Sequence, residues 1–101
     1  MKRTVVRYRT KPEAAQENER LIRAVFQELS AKSPDGVRYL ALTLSDGTFV
    51  HFSTVDSDGA NPILQLEAFR SFQAGIKERC SESPQASEAT IVGNYRMLGE
   101  P

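Results

Sequence analysis

The chain has no tryptophan, one cysteine and one histidine among its 101 residues. A lone cysteine excludes an internal disulfide, a Cys-x-x-Cys metal loop and a four-cysteine iron–sulfur site, and it is compatible with a reducing cytoplasm. Charge of one sign is missing too: 13 Lys plus Arg balance 13 Asp plus Glu. A nucleic-acid partner is not expected, because phosphate neutralisation needs a basic surplus. No stretch approaches the ~20 consecutive apolar residues of a membrane helix. The start, Met1-Lys2-Arg3-Thr4-Val5-Val6-Arg7, turns charged again before a signal-peptide apolar region could form. Internal repeats, low-complexity tracts and linkers are absent. With 40% hydrophobic and 26% charged residues the balance is that of one globular domain spanning residues 1–101.

What is present is a clear order of elements. Arg3–Arg9 reads as a strand, with Val5, Val6 and Tyr8 interrupted by Arg7 and Arg9. Thr10-Lys11-Pro12-Glu13 spells a capping box with proline in the first turn. The helix predicted from Lys11 to Lys32 carries Ala14, Leu21, Ile22, Val25, Phe26 and Leu29 on one stripe. Glu19–Arg23 and Glu28–Lys32 are acid-before-base pairs on its polar side, and Ser33-Pro34-Asp35-Gly36 ends it.

Two strands follow, Val37–Leu44 and Phe49–Val55, around Asp46-Gly47, a strong hairpin signal. With Asp46 and Gly47 as a two-residue loop, Leu44 pairs with Phe49 and Leu42 with His51. Leu40, Leu42, Leu44, Phe49 and His51 then share one sheet face, and Tyr39, Ala41, Val50 and Phe52 the other. Asp56–Ala60 is a polar loop. Asn61-Pro62 starts a second helix, with Leu66, Phe69, Phe72, Ile76 and Cys80 at helical spacing. Gly75 inside it marks close packing or a short break. Residues 81–87 read as a loop, and Glu88–Leu98 as the last strand, alternating at Ile91, Tyr95 and Met97.

The order strand, helix, strand, strand, helix, strand predicts a ferredoxin-like βαββαβ sandwich, an α+β fold with a four-stranded antiparallel sheet and two helices on one face. Neither face of the hairpin is polar, so the face left bare by the helices calls for a second copy. A homodimer packed sheet to sheet is the expectation. RNA-recognition domains of this topology carry an aromatic-rich basic strand motif, and phosphatases of this topology a glycine-rich loop after the first strand. This chain has neither.

The chain also resembles the antibiotic-biosynthesis-monooxygenase-like branch of the dimeric α+β barrels. The resemblance runs from Val5-Val6-Arg7-Tyr8-Arg9-Thr10-Lys11-Pro12 through Phe69-Arg70-Ser71-Phe72-Gln73-Ala74-Gly75-Ile76 to Val92-Gly93-Asn94-Tyr95-Arg96. It implies a dimer, and an activity such as oxidation of polycyclic aromatics by dioxygen with no metal or flavin, so no cofactor is expected. Haem-degrading members have an Asn on the first strand and a Trp and a His around the second helix; here Arg7 and Arg9 occupy that strand and the only His lies in the hairpin. In aromatic-oxidising members an Asn is followed four residues later by a Trp. Asn61 matches the Asn, and Gln65 stands in place of the Trp.

His51 is the one side chain that titrates near neutral pH unaided, which makes it the candidate base, with Asn61 positioning the substrate. Flanked by Val50 and Phe52, His51 also suits a hydrogen-bonded core or interface position. Tyr8, Tyr39, Gln65, Phe69, Phe72 and Tyr95 are the expected pocket lining for a small aromatic ligand, and the tyrosines also suit plain packing. Arg7, Arg9, Arg38 and Arg96 offer anion contacts or surface salt bridges. Cys80 has no partner base and reads as a small core residue. The two function classes are therefore a cofactor-independent monooxygenase and a non-catalytic homodimeric ligand-binding or interaction module.

Overall fold

The computed structural model describes residues 1–56 and 61–98, so most of the polar loop expected at Asp56–Ala60 lies outside the described residues. Strand β1 runs Lys2–Thr10, followed by a 3-10 turn at Pro12–Ala14 and helix α1 at Ala15–Lys32. Strands β2 (Val37–Thr43) and β3 (Thr48–Val55) form the hairpin. A 3-10 turn at Pro62–Gln65 leads to α2 (Glu67–Ala74), α3 (Ile76–Arg79) and β4 (Cys80–Glu88). The sheet order is β2-β3-β1-β4, all neighbours antiparallel, with the helices on one face. This is the ferredoxin-like arrangement.

The core lies between sheet and helices. Tyr8 and Phe49 from the sheet meet Ile22 and Val25 of α1 and Leu66 and Phe72 of the second helical region. Full burial of such side chains stabilises by about 1.5–3 kcal/mol each. Tyr8 stacks on Phe49, ring centroids 5.4 Å apart. The α1 stripe forms as expected, and Lys32 pairs with Glu28 at 2.6 Å. Earlier in the helix Arg20 pairs with Glu17 at 2.6 Å, in place of the anticipated Glu19–Arg23 pair. The capping box does not form. Thr10 stays in the ladder, its N–H donating to the Gly47 carbonyl at 3.2 Å, and no side chain caps the first turn.

The hairpin differs from its sequence reading by one residue. Thr43 pairs with Phe49, Leu42 with Val50 and Ala41 with His51. Leu44 N–H donates to the Thr48 carbonyl and Gly47 N–H to the Leu44 carbonyl. Ser45-Asp46-Gly47 is thus a three-residue loop, with φ of +87° at Gly47 and none positive at Asp46. The slip turns every β2 side chain over relative to β3. Tyr39, Ala41, Phe49 and His51 now share the helix-covered face, while Val5, Leu40, Leu42, Val50 and Phe52 share the open one. Leu40 is 43% and Leu42 48% exposed there.

The second helix is broken and the last strand comes early. Asn61 accepts from Ile63 N–H at 2.9 Å, as its capping position predicts, but what it starts is the 3-10 turn. Gly75 divides α2 from α3, the short break anticipated at that glycine. Strand β4 then occupies Cys80–Glu88, although the pattern of residues 81–87 predicts a loop, and residues 89–98 form no strand. The ladder to β1 is made by backbone groups, so a polar edge strand needs no apolar pattern. Pro84 sits where the β1–β4 register shifts, between the Arg7–Gln85 and Arg9–Glu82 pairs, a position that spares the ladder its missing N–H.

Candidate functional site

The face of β1, β2 and β3 under the helices carries three polar side chains in one plane of contact. Tyr8 on β1, His51 on β3 and Tyr39 on β2 are neighbours because Val6 pairs with His51 and His51 with Ala41. His51 Nε2 lies 2.8 Å from the Tyr8 hydroxyl, and Nδ1 lies 2.6 Å from that of Tyr39. Both ring nitrogens are therefore engaged. Phe72 of α2 covers the imidazole, ring centroids 5.5 Å apart.

Two residues outside the sheet extend this set. Asn18 on α1 is fully buried and donates from Nδ2 to the Tyr8 oxygen at 2.8 Å. Arg79, closing α3, donates from Nε to Asn18 Oδ1 at 3.0 Å and from Nη2 to the Phe72 carbonyl at 2.6 Å. Its guanidinium also sits 5.3 Å over the Phe72 ring. Gly75 makes room for it, since a Cβ there would come within 3.1 Å of Arg79 Nη1. The helix break and the buried amide thus serve the same five-residue chain, Arg79–Asn18–Tyr8–His51–Tyr39.

Burial sets the electrostatics. Desolvation lowers the His51 pKa from 6.5 to about 4, so the imidazole is neutral at physiological pH. Desolvation raises both phenols well above their usual 10, with the Asn18 hydrogen bond opposing the rise at Tyr8. The resting chain is uncharged from Tyr8 to Tyr39.

Beside it opens a cavity of about 440 Å³ between the sheet and the Asn61–Ile76 region. Tyr8, Tyr39, His51, Asn61, Phe69 and Phe72 all line it, together with apolar Val6, Val55 and Ile63 and polar Lys2, Thr4, Ser53 and Gln73. That size suits one small organic molecule. Six of the eight candidate residues are thereby brought together. Gln65 is exposed and outside the lining, and Tyr95 is 78% exposed in the segment after β4. Arg9 bridges Asp46 and Glu82 at 2.9 and 3.2 Å, Arg96 lies over the Tyr95 ring, and half-buried Cys80 packs against the core. Asn18 and Arg79 are not among the residues that the sequence pattern points to. For Asn18 a signal existed: it interrupts the apolar stripe midway between Ala14 and Ile22. For Arg79 there was none. Among the described residues no three His, Cys, Asp or Glu side chains cluster as a metal site, and no helix is long and apolar enough to cross a membrane.

No family model and no curated protein sequence matches the chain. Solved structures do. A Nitrosomonas europaea protein whose name places it provisionally among the antibiotic biosynthesis monooxygenases superposes with a TM-score of 0.73 at 13% identity, covering 90% of this chain and 89% of that one. A Caulobacter crescentus protein of the same provisional name gives 0.72 at 16% identity, covering 91% and 90%. A second Nitrosomonas europaea protein, described as of unknown function, gives 0.70 at 18% identity, covering 97% and 96%. The chain shares its ferredoxin-like βαββαβ fold with these proteins.

Proposed function

We propose that the chain binds a small, largely apolar aromatic molecule in the cavity beside His51 and oxidises it with dioxygen, without a bound cofactor. The observation that carries this reading is an imidazole held between two tyrosine hydroxyls on the wall of a mainly apolar cavity of matching size. In the reaction an activated ring CH₂ becomes C=O. Dioxygen takes up four electrons, one oxygen entering the product and the other leaving as water with the two hydrogens. The protein's part is to favour loss of the first C–H proton to solvent water, by donating a hydrogen bond to the oxygen on which negative charge collects. Asn61, its oxygen committed to Ile63 N–H, has its amide N–H₂ left to position the substrate.

Oxygen uptake with a panel of anthrones and polycyclic phenols tests this directly. The parent should consume oxygen with at least one of them, and Tyr39→Phe, which removes a hydroxyl from the cavity wall, should reduce the rate by ~10²- to 10³-fold while keeping the fold. A second reading is a non-catalytic binder, favoured by the engagement of both imidazole nitrogens, which leaves His51 no lone pair facing the cavity. Saturable binding of panel compounds without oxygen uptake selects it.

We further infer a homodimer in a reducing cytoplasm, joined through the open sheet face, because Leu40 and Leu42 stand 43% and 48% exposed beside Val50 and Phe52. Light scattering that returns the mass of one chain at micromolar concentration refutes the dimer.

A further inference from the structure

We propose that Arg79 and Asn18 are positioning residues that fix the direction of the hydrogen-bond chain ending at Tyr39, so that the cavity selects a ligand presenting an acceptor oxygen, a ketone carbonyl or the enolate derived from it, to the Tyr39 hydroxyl. The ligand half of this proposal rests on reading the cavity as an aromatic-molecule site. The direction of the chain does not.

A guanidinium has donors only, so the group facing Arg79 Nε must be the Asn18 carbonyl oxygen. That turns the Asn18 N–H₂ toward Tyr8, whose oxygen accepts. Tyr8 is 2% exposed, and its single proton requires an acceptor. His51 Nε2, at 2.8 Å, is the acceptor available. A neutral imidazole accepting at Nε2 carries its proton on Nδ1, and that N–H donates to the Tyr39 oxygen at 2.6 Å. Tyr39 is the one member whose own proton remains unspent, and it lines the cavity. The reverse direction would strand the Tyr8 proton in the core, the more costly place for an unsatisfied hydroxyl. Arg79 cannot swing away cheaply, since it also holds the Phe72 carbonyl at 2.6 Å and fills the space left by Gly75. Each bond polarises the next, so charge growing on a ligand oxygen at Tyr39 is answered along the whole chain.

The single histidine makes the test clean, because its two ring nitrogens are the only imidazole signals in a ¹⁵N spectrum. The parent should show a protonated Nδ1 and a bare Nε2. In Asn18→Asp the carboxylate accepts from both Arg79 and Tyr8, the chain reverses, and the proton moves to Nε2. A parent with its proton on Nε2, or a folded Asn18→Asp protein with an unchanged tautomer, overturns the proposal. For the ligand half the probes are 9-fluorenone and fluorene, which differ in one carbonyl. The parent should bind fluorenone about tenfold more tightly than fluorene. In Asn18→Asp and in Tyr39→Phe the two should bind alike. A preference kept in Tyr39→Phe overturns the assignment of Tyr39 even if Asn18→Asp fails to fold. If neither probe binds the parent, the aromatic-ligand reading and the selectivity claim fall together, while the tautomer still decides the direction of the chain.

Discussion

Acidifying the solution from pH 7 to pH 5 should cost this protein stability, with His51 supplying the part that a single variant isolates. His51 is 6% exposed, and burial lowers its pKa from 6.5 to about 4. The unfolded chain, with an ordinary imidazole, binds a proton as pH falls through 6.5, while the folded chain does so only near 4. Between those values the unfolded state holds more protons, so stability falls as pH falls. The full gap is worth on the order of 3 kcal/mol, of which about 2 kcal/mol is lost between pH 7 and pH 5. Urea unfolding of the parent and of His51→Gln at pH 7, 6 and 5 reads this out. Gln keeps a donor and an acceptor for the two tyrosines but has nothing to titrate. Glu17, Glu28 and Asp46, whose carboxyls are held below their usual range by Arg20, Lys32 and Thr48 respectively, also lose stabilisation on acidification. They do so in both proteins and cancel. The parent should therefore lose about 2 kcal/mol more than the variant over this interval. Parallel curves would mean that His51 is not held neutral by the fold, and the account of the site would fail with it.

Two further expectations follow from packing. Leu42→Lys puts a charge in the middle of the open sheet face, where the parent residue is 48% exposed. It should leave the melting temperature nearly unchanged at low concentration and convert a dimer to single chains by light scattering; a retained dimer mass moves the interface elsewhere. Glu28 accepts from Ala68 N–H at 2.8 Å and Glu67 N–H at 3.3 Å, so a carboxylate of α1 caps the first turn of α2. Glu28→Ala should speed amide exchange in Glu67–Ala74, and unchanged protection there would show the cap to be idle.

The architecture was legible because its signals are local and redundant. The α1 stripe, the Asp46-Gly47 turn and the Asn61-Pro62 start each report on a few adjacent residues, and their order alone restricts the topology. β4 was not legible. Its residues Ser81–Glu88 are polar except Pro84 and Ala86, and a strand at a sheet edge is selected by backbone pairing with β1 rather than by side-chain alternation. The apolar Ile91, Tyr95 and Met97 mimic a strand pattern that the fold does not use there. Of the site, the members Tyr8, Tyr39 and His51 were visible as residue types, but their meeting was not. It depends on register, and register in turn depends on one residue of loop length. Asn18 shows the reverse case: a polar residue in an apolar stripe announces a buried partner before the partner is known.

The loop that sets this register also supplies the sharpest mutational test of the site's assembly. A two-residue turn would place Tyr39 on the face opposite His51, whereas the observed three-residue loop places both beneath the helices. The loop is held from two sides. Asp46 Oδ1 accepts from Thr48 N–H at 2.9 Å, and Oδ2 pairs with Arg9 of β1, also at 2.9 Å. Gly47 then closes it at φ +87°, and a Cβ at that position would meet nothing nearer than the Thr10 carbonyl at 3.7 Å. Space is therefore not the obstacle to a side chain; backbone strain is. Gly47→Val should cost about 1 kcal/mol or more and lower the melting temperature by ~4–8 °C for each kcal/mol. Gly47→Asn, which tolerates the left-handed region, should recover most of that loss. Equal losses in Val and Asn would point to a steric cause that the geometry does not contain. No loss in either would mean that positive φ at Gly47 is dispensable, and the explanation of how Tyr39 reaches His51 would have to be found in the packing of Tyr39 against Phe26, whose rings lie 4.9 Å apart, rather than in the turn.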